Sequence, residues 1–431
     1  MKTSSSRFAT LDVIRGLAAM SVFVTHWAAW NRVGADAPAM AGTTASHSGP
    51  WVAAMVSLAT AFWKGTKIHP GVVCFIVLSG FCIHLPLAKA PANAESRRWW
   101  KQYAIRRACR ILPVYWLALL LGLCLIVFLR TTPPSGWPTF LRPEILGFDW
   151  TALLFSVSVV PPSIVTHTGF LFPGNGPLAT VAVEALLYMT YPLLTILRRR
   201  VGLWMVLAIS AGMYAWYVLL RYTAGANAGP HLTGTYYEFL IYWVLGAAVA
   251  EVYVRCNSSR HLKRSCAVTA FAGVLFVLYN FSAARFPEAL QVTRALMLAV
   301  FMACLLHLAM VYERVHGGAK GVVMRPLMEA LRRIGEASYS LYAVHTPVIG
   351  AILFVWAGVL GRHLTWPARL WPLIAVAAAT GIVHMYVERP SQRFAKRASE
   401  LCAADLPVMV SAGAGVIQSE PVSVLTGGEC L

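Results

Sequence analysis

Apolar segments of about twenty residues alternate with short basic segments along most of the chain. An α-helix needs about twenty apolar residues to cross the hydrocarbon core of a bilayer, so each apolar segment is long enough to span it. The segments lie at residues 11–30, 71–89, 111–129, 178–197, 202–220, 236–254, 266–283, 293–312, 338–358 and 368–387. The pattern predicts an all-α, polytopic membrane helix bundle with about ten transmembrane helices and no separate soluble domain.

The basic segments predict an orientation, because lysine and arginine concentrate on the cytoplasmic side of membrane proteins. The basic loops at 97–110, 198–200, 255–264, 314–333 and 389–397 all fall on one side if the apolar run 150–162 does not cross. As a helix, that run reaches only ~18 Å, so we expect it to be re-entrant or to lie at the outer surface. We therefore expect a multi-pass membrane protein with a cytoplasmic tail (1–10), a membrane domain (11–397) and a disordered cytoplasmic tail (398–431).

The composition also indicates a membrane protein, and it argues against a soluble domain, a nucleic-acid-binding protein and a disulfide- or metal-stabilised fold. The chain is 58% hydrophobic and 12% charged, whereas soluble domains have about 25% charged residues. The net charge of +19 comes from the basic loops rather than from a nucleic-acid-binding fold. The nine cysteines include no CxxC pair, so neither a disulfide framework nor a metal site is expected. We predict no nucleic acid and no protein partner.

The first predicted helix carries Arg15 near its start and His26 near its end. They are eleven positions apart, which brings both side chains to one face, roughly 16 Å apart along the axis. Asp12 lies close to the same face and is placed to pair with Arg15 at i,i+3. Because ionisable groups inside a bilayer are costly and usually face a cavity or a partner, we expect this face to mark one route from Arg15 to His26.

Six segments, in order along the chain, carry a resemblance to a known family. They are LDVIRGLAAMSVFVTHW (11–27), CFIVLSGFCI (74–83), IRRACRILPVYW (105–116), GPLATVAVEALLYMTYPLL (176–194), SYSLYAVHTPVI (338–349) and VERP (387–390). From about residue 8 to 397 the chain resembles the acyltransferase-3 family of integral-membrane O-acyltransferases, which includes enzymes that acetylate lipopolysaccharide, exopolysaccharide and nodulation factors. Ala179 and Thr180 stand where the family usually has Trp-Ser, which bears on how substrates fit near Glu184.

The resemblance implies transfer of an acyl group, most simply acetyl, from acyl-CoA to a hydroxyl of a saccharide or glycolipid. No cofactor is expected to be bound, since acyl-CoA is a co-substrate. A sugar hydroxyl is a poor nucleophile, so a general base must take its proton, and His26 is the best candidate. Arg107 and Arg110 match the family's basic motif and suit the phosphates of coenzyme A. Arg15 is expected to hold the donor or to orient the path to His26.

Two further polar stripes occur on predicted helices. Glu184 is followed by Tyr188 at i+4, and we expect this carboxylate to assist His26 in the outer half of the membrane. A second stripe of possible cavity residues lies on the segment after 337 and consists of Ser338, Tyr342 and His345. His69 is expected in an external loop, and His84 is expected to be structural.

Several alternatives stay open at this level. His26 and Glu184 would also suit a structural hydrogen-bonded role, and Arg15 would also suit an interfacial anchor. A transporter or flippase that moves an acyl donor or a glycolipid without chemistry fits intramembrane charge equally well, although we find no internal repeat. The acceptor could instead be a small-molecule natural product. Direct transfer and an acyl-histidine intermediate are both compatible with the sequence.

Overall fold

The computed structural model describes residues 8–33, 68–90, 97–131, 150–161, 172–223, 236–256, 259–282, 293–316, 325–356 and 370–404. These residues form helices: α1 (Ala9–Val33), α2 (Pro70–Lys89), α3 (Arg97–Arg130), α4 (Trp150–Val157), α5 (Leu178–Val201), α6 (Leu203–Thr223), α7 (Tyr236–Arg255), α8 (Ser259–Ser282), α9 (Thr293–His316), α10 (Arg325–Glu336), α11 (Ser338–Phe354) and α12 (Trp371–Val383). A π-helix (His384–Glu388) and α13 (Arg389–Ala404) follow without a break.

The predicted polytopic helix bundle is confirmed. Within the described residues, eight helical segments are long and apolar enough to cross a membrane, and α10 with α11 forms a ninth if this bent pair counts as one span. The helix α1, which carries Asp12 and Arg15, is not among these segments. The helix α4 has 8 residues, which is roughly 12 Å of helix, and does not cross a bilayer. This length agrees with the expectation for residues 150–162.

The helices α2 and α7 form the centre of the bundle. Both are apolar on all sides, as expected for a helix surrounded by other helices, and most of their side chains are buried. Their backbones approach closely at two glycines: a Cβ on Gly80 would overlap the carbonyl of Trp243, and a Cβ on Gly246 would overlap the carbonyl of Val77. Small residues permit such contact where no water drives helices together. The helices α6 and α8 lie at the periphery with many exposed apolar side chains.

One end of the bundle gathers the start of α1 and the ends of α2, α7 and α9, and we call it the basic end. There Lys89 Nζ lies 5.2 Å from the Phe8 ring centroid, and the Ala9 N–H donates to Glu313 Oε1 at 3.1 Å. At the same end, α10 meets α11 at a bend of 73°. A Cβ on Gly335 would overlap the carbonyl of Asp12, so this glycine permits α10 to pack directly on α1.

The basic segments differ from the predicted loops in three places. Residues 97–110 belong to α3, a continuous helix of 34 residues. Much of the basic stretch 314–333 is helical, because α9 runs to His316 and α10 begins at Arg325. The last span continues through a π-helix into α13 and ends at Ala404, so residues 398–404 of the predicted disordered tail are helical. Hydropathy marks the apolar part of a helix, and it therefore underestimates helices that continue beyond the membrane. Residues 1–7 and 405–431 lie outside the described residues.

The segment before α5 returns into the bundle. The N–H of Phe172 donates to Ser156 Oγ at 2.9 Å. Asn175 is fully buried, and its Nδ2 donates to the carbonyls of Ala343 at 2.8 Å and Ala118 at 3.3 Å. Backbone without regular structure is tolerated at membrane depth where protein covers it. The segment thus joins α3 and α11 and sets the start of α5.

Candidate active site

A small cavity of about 70 Å³ lies among α1, α2, α3, α5 and α11. Part of its wall is apolar, and the rest carries a dense set of polar groups. Those groups are Arg15, Ser79, Cys82, Arg107, Arg110, Thr180, Glu184, Tyr188, Ser338, Tyr339 and Tyr342. Seven of the ten residues singled out from the sequence therefore meet in one place.

Arg15 enters this cavity from α1. Its side chain is buried, with 7% of the residue exposed, and its Nη1 lies 3.2 Å from Asp12 Oδ1. The expected i,i+3 pair is therefore present. Its Nη2 lies 3.1 Å from Cys82 Sγ on α2. These contacts hold the guanidinium at the cavity wall instead of extending it toward the membrane surface, where an interfacial anchor would place it.

Arg107 and Arg110 enter from α3, one turn apart. The guanidinium carbon of Arg107 lies 5.6 Å from the Tyr188 ring centroid and 5.8 Å from that of Tyr103. Its Nε is buried and has no hydrogen-bond partner within the described part of the chain. Cations over aromatic faces are attracted by the ring quadrupole. The aromatic rings thus fix the position of Arg107 and leave its N–H groups to meet an anion.

Glu184 lies in the same cavity as the three arginines. It accepts a hydrogen bond from the Tyr188 hydroxyl, which lies 3.1 Å from Ser79 Oγ. His26 is not among the residues that line this cavity, so the expected assistance of His26 by Glu184 stays a prediction. Three guanidinium groups and one carboxylate give the cavity wall an excess of positive charge.

The hydroxyls of Thr180 and Tyr342 hydrogen-bond to each other at the cavity wall. Their oxygens also lie 2.9 Å and 3.3 Å from the Pro177 carbonyl oxygen, so one hydroxyl can donate to the carbonyl while the other donates to its neighbour. The ring of Phe75 packs edge-on against Tyr342, with 5.8 Å between centroids. We call this pair of hydroxyls the Thr–Tyr closure. Next to it, one turn further along α11, is the layer of the bundle that contains His345.

His26 and His345 lie in that next layer. His26 Nδ1 is 3.0 Å from His345 Nε2, and neither ring lines the cavity. Tyr342 joins the two regions, because its hydroxyl lines the cavity while its carbonyl accepts from His345 Nδ1. Arg15 lines the cavity and His26 does not, so a single route along this face of α1 stays a prediction.

The structure also assigns positions to two histidines that the sequence left aside. His69, expected in an external loop, is buried just before α2, and its Nε2 lies 3.0 Å from Thr25 Oγ1. The sequence signal for this position was a histidine directly before Pro70, where it caps the start of α2. His84 is buried between Glu251 and Tyr191, at 3.2 Å and 3.1 Å, as expected for a structural histidine. Within the described residues no group of three or more possible ligands is placed to hold a metal.

Comparison with known proteins agrees with the sequence motifs and with this site. The model of the acyltransferase-3 family, described as an acyltransferase domain, matches residues 8–386. That match covers every residue of the cavity and the histidine pair. No curated protein and no solved structure matches the chain. The chain therefore belongs to the acyltransferase-3 family and is a membrane acyltransferase.

Proposed function

We propose that this protein transfers an acyl group, most simply acetyl, from acyl-CoA to a hydroxyl of a saccharide or glycolipid at the cell inner membrane, with both termini in the cytoplasm. The observation that carries the proposal is the buried cavity in which Arg15, Arg107 and Arg110 converge one layer away from His26. An intracellular thioester donor and a carbohydrate acceptor on the other side require such a through-membrane arrangement.

The donor binds from the basic end. Guanidinium groups bind phosphate oxygens through short, charge-assisted hydrogen bonds, and the buried Nε of Arg107 offers one such donor. Coenzyme A carries phosphates at one end and the thioester at the other. Phosphates held by Arg107 and Arg110 direct the pantetheine arm and its acyl group toward the Thr–Tyr closure. Glu184 keeps the excess positive charge from trapping the anion too tightly and orients Tyr188.

The chemistry takes place at His26 once the Thr–Tyr closure opens. His26 accepts the proton of the acceptor hydroxyl as its oxygen forms a bond to the thioester carbonyl carbon. The carbon–sulfur bond then breaks, and coenzyme A leaves as the thiolate, which takes up the proton that His26 accepted and so regenerates the neutral imidazole. In the variant mechanism, His26 first receives the acyl group and passes it to the hydroxyl. The acceptor approaches from the end of the bundle opposite the basic end.

The donor site is tested by equilibrium dialysis of radiolabelled acetyl-CoA against the purified protein in detergent. Arg107→Ala and Arg110→Ala should each raise the Kd about tenfold or more, because a hydrogen bond to a charged group contributes about 1.5–3 kcal/mol. Lys396→Ala is the matched control, since Lys396 is an exposed cation at the basic end outside the cavity. Unchanged affinity in both arginine variants would overturn the donor site.

The reaction itself is tested with inverted membrane vesicles and [14C-acetyl]-CoA. Label should enter the lipid-linked or polymeric glycan of the vesicles as a base-labile ester. Transport of intact acetyl-CoA into the lumen without ester formation would instead identify a transporter. Label in a small diffusible product would identify a small-molecule acceptor, and the saccharide assignment would then be wrong.

A further inference from the structure

We infer that His345 is a positioning residue that fixes His26 as the tautomer with its proton on Nδ1, so that Nε2 of His26 is the proton acceptor. The inference deepens the proposed function, and it rests on that function only for the catalytic role of His26 Nε2 as the proton acceptor. The tautomer itself follows from the hydrogen bonds of three histidines. Their ring protons are assigned by the partners that each ring nitrogen meets.

The first step concerns His345, which is fully buried on α11. Its Nδ1 lies 2.8 Å from the carbonyl oxygen of Tyr342 and 3.1 Å from that of Leu341. A carbonyl oxygen can only accept a hydrogen bond. The proton of the neutral imidazole therefore resides on Nδ1, and Nε2 carries the lone pair.

A charged His345 does not fit these surroundings. The groups that meet its ring are His26, Thr346, Phe23 and Tyr342, and no carboxylate occurs among its contacts in the described residues. Burying a cation without a counter-charge is strongly unfavourable. His345 is therefore neutral, and its Nε2 can only accept.

The second step uses the proton position on His345 to assign the proton position on His26. His345 Nε2 lies 3.0 Å from His26 Nδ1 and 3.2 Å from Thr346 Oγ1. Two lone pairs cannot face each other at 3.0 Å, so His26 Nδ1 must carry a proton and donate it. The neutral His26 ring then has its lone pair on Nε2. The Thr346 hydroxyl can donate to the same nitrogen and is compatible with this assignment.

The third histidine of this layer does not compete for the role. His69 Nδ1 accepts from the Gly71 N–H at 3.0 Å, so its proton lies on Nε2 and is donated to Thr25 Oγ1. The Thr25 hydroxyl in turn donates to the carbonyl of Ser21 at 2.8 Å. Both ring nitrogens of His69 are thus engaged in a structural chain, which leaves His26 as the base.

His345 acts through His26 and does not touch the reacting atoms. When His26 takes a proton on Nε2, its Nδ1–H becomes a charge-assisted donor to a neutral acceptor of fixed position, which stabilises the imidazolium. The same contact holds the ring orientation during the reaction. A histidine with the other tautomer would direct an N–H toward the acceptor hydroxyl and would fail as a base.

The direct test is 15N NMR of the purified protein labelled with 15N-histidine, with the His26 signals assigned by their loss in His26→Ala. We expect a protonated Nδ1 and an unprotonated Nε2 for His26 in the wild-type protein. His345→Ala should shift the His26 population toward a proton on Nε2. A wild-type His26 protonated on Nε2, or a tautomer unchanged in His345→Ala, would overturn the inference whether or not the protein proves to be an acyltransferase.

Activity provides a second, separate readout. His345→Ala should lower kcat about 100-fold while leaving the KM for acetyl-CoA within twofold, because general-base catalysis contributes about 10²–10⁴-fold. His345→Gln keeps an acceptor oxygen near the position of Nε2, so its kcat should be at least tenfold higher than that of His345→Ala. Equal losses in both variants, or a rise in KM with kcat unchanged, would indicate a packing role. Normal turnover in His26→Ala would refute the proposed function and leave the NMR result standing.

Discussion

Substitution of Arg15 distinguishes its structural role, the ion pair with Asp12, from its proposed role in binding the acyl donor. Arg15 and Asp12 form a buried ion pair in which the side chains are 9% and 3% exposed. At the 3.2 Å between Nη1 and Oδ1 and an effective dielectric constant near 20, their attraction is about 5 kcal/mol. Arg15→Met removes this attraction and leaves a buried carboxylate without its guanidinium. Because breaking a buried pair from one side typically costs about 3–5 kcal/mol, the variant should unfold at a clearly lower temperature.

The double variant Arg15→Met with Asp12→Asn decides whether Arg15 also binds the donor. It removes the uncompensated carboxylate, so thermal unfolding in detergent should return to within a few degrees of the wild type. The KM for acetyl-CoA should nevertheless stay at least tenfold above the wild-type value, because the cavity has lost one of its three guanidinium groups. If the double variant recovers both the unfolding temperature and the KM, Arg15 is purely structural and its place in the donor site is refuted.

Two further predictions concern the Thr–Tyr closure and helix packing. Tyr342→Phe removes the hydroxyl that pairs with Thr180; since each such bond contributes about 1 kcal/mol, hydrolysis of acetyl-CoA in the absence of acceptor should rise about five- to tenfold relative to transfer, measured as free thiol. An unchanged ratio would show that the pair does not restrict the path. Gly80→Ala forces a methyl group against the carbonyl of Trp243 and should lower the unfolding temperature markedly, whereas Gly212→Ala, with nothing within 4 Å of its added Cβ, should not; equal effects would contradict the packing of α2 on α7.

Local spacing predicted the contacts that lie within one helix. The pair of Asp12 and Arg15 follows from i,i+3, and the hydrogen bond of Tyr188 to Glu184 follows from i,i+4. The hydropathy pattern likewise predicted the bundle, because a spanning helix needs a continuous apolar segment.

Contacts between helices far apart in sequence could not be predicted in this way. His26 and His345 are 319 residues apart, and no periodicity relates the depth of one helix to that of another. Asn175, just before α5, donates to the carbonyls of Ala118 and Ala343 on two other helices, and no local sequence pattern indicates these contacts. Likewise, the sequence places Arg15 and His26 on one face of α1, but it could not indicate that Tyr342 on another helix contacts both the cavity and His345.

The central claim, that His26 is the base of an acyl transfer, is tested most directly by His26→Ala in reconstituted proteoliposomes with labelled acetyl-CoA and extracted membrane glycolipid as acceptor. His316→Ala, an exposed histidine at the end of α9, is the matched control. The account predicts a loss of transfer of about 100-fold or more in His26→Ala, with the Kd for acetyl-CoA unchanged and His316→Ala fully active. Wild-type transfer by a fully expressed His26→Ala protein would contradict it.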